Sequence, residues 1–140
     1  MLTTKLSNGK EAFADTQAVR TEVFVAEQGF AQEFDDIDNT ARHLVVYDDG
    51  VPAATGRIYP VEGDTWAIGR VAVRKPWRGA GLGAYLMNAL ETAARQLGAR
   101  QFTLSAQVRA GGFYQKQGYT PVGKPYDDEG VPHIRMQKRA

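Results

Sequence analysis

The chain has 140 residues, no cysteine and a formal net charge of +1; that length suits one domain with a sizeable core, and the composition excludes disulfides, thiolate nucleophiles and thiolate metal sites. No stretch approaches the ~18 apolar residues of a membrane span, and the first ten residues lack a basic flank followed by an apolar run, so a soluble protein in the cytoplasm is expected, with no membrane partner. Charge is uneven: residues 1–70 hold 6 Lys/Arg against 12 Asp/Glu, and residues 71–140 hold 11 against 4, which suits an anion on the second half and a cation near the first but is too dispersed for nucleic acid.

In chain order, the apolar start at residues 2–6 predicts a first strand. Asp15 or Thr16 is placed to cap a helix whose Ala18, Val19, Val23 and Ala26 fall near helical spacing, and Gly29 ends it. Residues 32–40 read as an acidic, irregular segment. His43-Leu44-Val45-Val46-Tyr47 is a strand by its β-branched content, Asp48-Asp49-Gly50 turns it back, and residues 51–61 form the second arm. After the turn Glu62-Gly63-Asp64, residues 66–73 form a third strand, so three antiparallel strands lead to a glycine-rich turn. Beyond it, Leu82, Leu86, Ala89, Leu90, Ala93 and Leu97 trace one helical face with Gly98 as the C′ residue. Phe102-Thr103-Leu104 is a short strand, residues 109–117 a helix weakened by Gly111 and Gly112, and residues 119–122 and 133–136 are closing strands. The class is α/β, with a mixed, mostly antiparallel sheet in a single domain over residues 1–140.

The turn Arg78-Gly79-Ala80-Gly81-Leu82-Gly83-Ala84 is the most informative stretch. A strand delivers the chain to it, glycines let backbone N–H groups converge, and the following helix presents its positive dipole end, so it is a phosphate cradle. A dinucleotide-binding reading fails on context, because no acidic residue lies about 20 residues on and too little chain remains for further βαβ units. A P-loop fails because no Gly-Lys-Ser/Thr closes the turn.

Arg78-x-x-Gly81-x-Gly83, after Val71-Ala72-Val73 and before a long helix, resembles the acyl-CoA signature of the GNAT family of N-acetyltransferases. Gly112-Phe113-Tyr114-Gln115-Lys116-Gln117-Gly118-Tyr119 is similar to that family's second motif, Phe-Tyr-x-Lys-x-Gly-Phe. Arg20-x-x-Val23-Phe24-Val25-x-Glu27-Gln28, Glu33-x-Asp35-x-x-Asp38, Ser105-Ala106-Gln107 and Val131-Pro132-His133-Ile134-x-Met136 extend the resemblance over nearly the whole chain, toward the small bacterial ElaA/YjcF-like acetyltransferases.

The resemblance implies a twisted sheet with a splayed strand pair that holds acyl-CoA, and acetyl-CoA as acyl donor. Val71, Ala72 and Val73 would pair with the pantetheine arm and polarise the thioester. Arg78, Gly79, Ala80, Gly81, Leu82, Gly83 and Ala84 would hold the pyrophosphate, with Arg74 and Lys75 nearby. Gln107 stands where many members carry an asparagine that bonds the pantetheine.

Acetyl transfer to an amine needs a neutral nucleophile, a donor for the developing oxyanion and an acid for the departing thiolate. Tyr114 is the general acid by the resemblance, a phenol placed at the sulfur. The acceptor side is drawn to the acidic half, where Glu27, Glu33, Asp35 and Asp38 could attract an ammonium and His43 could titrate; His133 is a second imidazole, and no residue is assigned as base. No metal site is expected. The function that follows is acetyl-CoA-dependent N-acetylation of a small-molecule or protein amine by direct attack in a ternary complex, in a monomer or homodimer. A non-catalytic acyl-CoA-binding sensor of the same fold is the alternative.

Overall fold

A computed structural model describes residues 1–31 and 34–140. Seven strands form one sheet: β1 (Leu2–Asn8), β2 (Arg42–Asp48), β3 (Val51–Glu62), β4 (Thr65–Val73), β5 (Gln101–Gln107), β6 (Thr120–Asp128) and β7 (Val131–Arg139). Their order across the sheet is β1-β2-β3-β4-β5-β7-β6. Every neighbouring pair is antiparallel except β4 with β5. The parallel step is where the crossover helix α2 (Leu82–Gln96) carries the chain from one strand to the next.

Helix α2 buries Leu82, Leu86, Met87, Leu90 and Ala94 against the main apolar cluster, with Ile58, Ile68, Phe102 and Leu104 from the sheet. Its face is rotated slightly from the expected one: Leu97 lies at the helix end and is 37% exposed, because Gly98 (φ +105°) has already turned the chain. Helix α1 (Ala14–Arg20), continued by a π-helical turn over Thr21–Glu27, supplies Val19, Val23 and Phe24 to a second cluster with Ala72. The side chains of Ala72 and of its neighbours Val71 and Val73 pack into different clusters, as alternation along a strand requires.

Neither residue expected to cap α1 does so. The cap position is Phe13; the Asp15 carboxylate instead accepts a hydrogen bond from the Tyr47 hydroxyl (2.6 Å), and Thr16 is buried with its hydroxyl 3.2 Å from that of Thr55. Both side chains tie the helix to the sheet, a use that local spacing does not reveal. The weak helix expected at residues 109–117 is a 3-10 turn over Val108–Ala110 followed by α3 (Gly111–Lys116). The acidic segment is ordered at Asp36–Asn39 as a 3-10 turn closed by a reciprocal Asp35 and Asp38 capping box.

Candidate functional site

Strands β4 and β5 stay paired for only three residues each: Thr65, Trp66 and Ala67 face Gln101, Phe102 and Thr103. Past that point they part, and among the described residues no strand lies beside the β5-facing edge of β4 over residues 68–73. Backbone N–H and C=O groups on such an edge require partners, so the splay is an open binding ladder. A cavity of about 620 Å³ fills it, lined by Ile68, Gly69, Arg70 and Val71 of β4, Leu104, Ser105 and Gln107 of β5, Tyr114 of α3, His133 of β7, and Phe24, Gln28 and Phe30 from the other side.

A bulge sits at the head of this ladder. Thr55 pairs with Ala72 and Arg57 with Gly69, so Arg70 and Val71 lie opposite the single Gly56. Arg70 takes the left-handed conformation (φ +49°) to absorb the extra residue. The bulge also shifts the alternation, which lets Ile68 and Val71, three residues apart, both pack on the α2 side.

The chain leaves β4 through a 3-10 turn at Lys75–Trp77 and enters the glycine turn. Gly81 caps α2 in the left-handed region (φ +81°), where a Cβ is disfavoured. Tyr85 N–H donates to Gly81 C=O (3.1 Å), which leaves the amides of Leu82, Gly83 and Ala84 without intrahelical acceptors at the positive end of the helix. At Gly83 a Cβ would stand 3.1 Å from the Phe113 ring; its absence lets α3 sit on the first turn of α2 and brings Tyr114 to the cleft.

Arg78 extends from the turn, donates to the Val73 carbonyl (2.8 Å) and makes a two-pronged ion pair with Glu27 (2.5 and 2.7 Å). The Arg78 hydrogen bond holds the Glu27 carboxyl below the usual carboxylate range. Glu27, expected at the acceptor pocket, therefore stands beside the glycine turn, on a second cavity of about 500 Å³ shared with Gln28, Arg78 and Arg109. Arg74 is paired with Glu22 (2.9 Å) and lies over the Trp77 ring.

Tyr114 is half-buried, edge-on to Phe113 and Tyr119, and among the described residues its hydroxyl has no hydrogen-bond partner. Burial pushes its pKa up to about 12, so the phenol keeps its proton throughout the neutral range. Tyr119, by contrast, is fully committed: its hydroxyl donates to Glu91 (2.9 Å), which also accepts from Lys138 (2.8 Å). Gln107 donates to Gln28 (2.9 Å) and accepts from Arg109 (2.7 Å), tying the π-helical turn to β5 across the cleft. His133 lines the same cavity, and its ring lies stacked on Tyr126.

The remaining acceptor-side expectations are corrected. Asp38 is fully buried and accepts from Arg20 (2.7 and 3.2 Å) and Arg57 (2.8 Å). Asp35 accepts from Arg57 (2.7 and 3.0 Å) and from Arg70 (3.3 Å). His43 is wholly buried, its Nε2 3.1 Å from the Asp38 carbonyl, and burial lowers its pKa. These groups brace the 3-10 segment against β2, β3 and β4 and do not line the cleft. Acidity in a row of loop residues suggests solvation, but Arg20 and Arg57, distant in sequence, have taken Asp38 into the protein, while Asp35 is held by Arg57 and Arg70 and stays partly exposed. Glu33 lies outside the described residues.

Arg70, Ser105, Gln28, Phe24 and Phe30 line the cavity without having been singled out for it. Phe24, Gln28 and Ser105 fall within the motifs quoted for the family resemblance without a role of their own, and Arg70 had a local signal in Gly69, since a glycine within an apolar strand marks a bulge. Among the described residues no group of three His, Asp or Glu could hold a metal ion, and no helix is long and apolar enough to cross a membrane.

Comparisons with known proteins agree with this geometry. The family described as Acetyltransferase (GNAT) domain matches residues 9–140. The Bacillus subtilis protein named "Uncharacterized N-acetyltransferase YjcF" is 39% identical over 136 residues, covering 95% of this chain and 96% of that protein. A crystal structure of an acyl-CoA N-acyltransferase from Pseudomonas aeruginosa superposes with a TM-score of 0.86 at 30% identity, covering 99% of both chains. That of Escherichia coli ElaA does so with a TM-score of 0.85 at 32% identity, again over 99% of both.

Proposed function

The chain belongs to the GNAT acetyltransferase family and is an acyltransferase, and from that premise we propose that it transfers the acetyl group of acetyl-CoA to a primary amine by direct attack. The observation that carries this reading is the splay of β4 from β5, with an unpaired strand edge leading from the glycine turn at one end to the half-buried Tyr114 phenol at the other. The residues present fit acyl-CoA: the edge of β4 over Val71, Ala72 and Val73 would suit the amides of a pantetheine arm once Arg78 leaves the Val73 carbonyl, and the amides of Leu82, Gly83 and Ala84, without intrahelical acceptors, would suit its pyrophosphate. Gly79, Ala80 and Gly81 shape that turn, Arg78 adds a cation once Glu27 releases it, and Gln107 offers an amide at the cleft wall.

Acyl-CoA, when bound, supplies an activated thioester. The bulge at Arg70 interrupts the register of β4 with β3 at Val71, and in this proposal the Val71 N–H would donate to the thioester oxygen as negative charge builds there. Tyr114 holds a proton for the departing sulfur; with a pKa of about 12 it is a donor and not a base at neutral pH. With no cysteine in the chain, no thiol competes as an acyl acceptor, which favours direct attack.

Calorimetric titration with acetyl-CoA, followed by thiol release across a panel of small amines and lysine peptides, tests the proposal. Binding with turnover on at least one amine is expected. Tight binding with no thiol release on any of them would identify an acyl-CoA sensor instead.

A further inference from the structure

His133 is 7% exposed and sits on β7 opposite Gln107 of β5, at the wall of the cavity shared with Val71 and Tyr114. Its Nδ1 lies 2.9 Å from the Val131 carbonyl. A carbonyl only accepts, so Nδ1 carries the proton, and in the neutral ring Nε2 is then the nitrogen with the open lone pair. Among the described residues Nε2 has no hydrogen-bond partner. The ring is also fixed in plane: Tyr126 stacks on it (centroids 6.1 Å apart, 29° between planes), and the Tyr126 hydroxyl is itself hydrogen-bonded to Ser105.

This arrangement is that of a base held in one tautomer, and it contrasts with His43. There Nε2 is used on a carbonyl and the free Nδ1 is buried in the protein with no partner. Only His133 combines a fixed tautomer with an open nitrogen on the cleft.

Resting on the acyltransferase reading above, we infer that His133 is the general base for that reaction, its Nε2 taking a proton from an alkylammonium acceptor. Nε2 removes one proton from the ammonium and later passes it to water. The freed nitrogen attacks the thioester carbon; the C–N bond forms and the C–S bond breaks. Tyr114 gives its proton to the sulfur, and the second proton of the attacking nitrogen replaces it. One proton is released for each thiol formed. The charged and titratable groups that line the cavity with His133 are Arg70 from β4, Arg109 beside α3, Tyr114 from α3, and Asp128 and Glu129 at the β6–β7 turn. Asp128 and Glu129 balance the two arginines in formal charge, so the cavity does not repel a cation outright.

His133→Asn is the discriminating variant, since its amide N–H can keep the Val131 bond while no base remains. In the full chain, with acetyl-CoA and the best amine of the panel, kcat is expected to fall ~10²-fold or more, the acid limb of the kcat/KM profile to disappear, and the acetyl-CoA Kd to stay within ~2-fold. His133→Ala should recover part of its rate with added imidazole. Independently of turnover, long-range ¹H–¹⁵N spectra of the wild-type ring should show Nδ1 protonated and Nε2 bare at neutral to alkaline pH. A protonated Nε2 in the neutral ring, or a His133→Asn enzyme that keeps its rate and acid limb, would overturn the assignment and leave the acyltransferase reading intact. If wild type binds acetyl-CoA yet releases no thiol with any amine, both fall together.

Discussion

At the scale of single residues, the cleft separates three side chains by what already occupies their polar atoms. The hydroxyl of Tyr119 donates to Glu91 and is packed in the core; that of Tyr114, two positions before the helix end, lines the cavity with no partner among the described residues. Burial keeps Tyr114 neutral, which is the state a proton donor needs. Tyr114→Phe is therefore expected to lower kcat by ~10²-fold with little change in acetyl-CoA affinity, because the ring still packs on Phe113 while the proton is lost. Steady-state thiol release checks this, and an unaltered kcat would remove Tyr114 from the reaction. Glu27 shows the opposite case: a carboxylate near the cleft whose charge is already committed, to Arg78.

At the scale of elements, the start of α2 carries the strongest constraint. A Cβ at Gly81 would meet nothing within 4 Å, so space is not what forbids one. The left-handed φ of +81° is, at a cost of roughly 1–2 kcal/mol for an ordinary side chain and more for a β-branched one. Gly81→Val should lower the melting temperature by several degrees, on the order expected for such a cost in a domain of this size, and should abolish acetyl-CoA binding measured by calorimetry. Retained affinity in a folded variant would show that the helix start does not hold the phosphates. Helix α2, its glycine turn and the hairpin of β2 and β3 were legible in the sequence because period and turn chemistry are local signals. The splay was not: apolar alternation reports that β4 and β5 exist but not where their pairing stops. The bulge at Arg70 was written only in Gly69, and the burial of Asp38 and His43 depends on Arg20 and Arg57, which arrive from other elements.

At the scale of the whole molecule, the buried cluster couples folding to pH. Burial alone would raise the Asp38 carboxyl, but hydrogen bonds from Arg20, the Asp35 amide and Arg57 override it and hold the pKa at about 2. The unfolded chain, with an ordinary Asp near 3.9, binds more protons between those values, so this stabilisation is complete above about pH 4 and is lost as pH falls toward about 2. His43 is lowered from 6.5, chiefly by burial; unfolding again takes up a proton, and stability begins to fall as pH drops below about 6.5. Urea midpoints are expected to be flat near pH 7 to 8, to decline below about 6.5 and to drop steeply below about 4, with the first decline absent in His43→Gln. A midpoint independent of pH between 4 and 7 would contradict the burial of a neutral His43. The splay also has a mechanical meaning. A sheet of seven strands that is joined across its middle by three residue pairs is a plate with a crack running in from one edge, and α2 is the clamp behind the crack tip. Forces that separate the two halves concentrate on Ala67 and Thr103, the last pair before the gap. A molecule bridging the gap would relieve that tip, so the stiffness of the protein would belong to the complex and not to the chain alone.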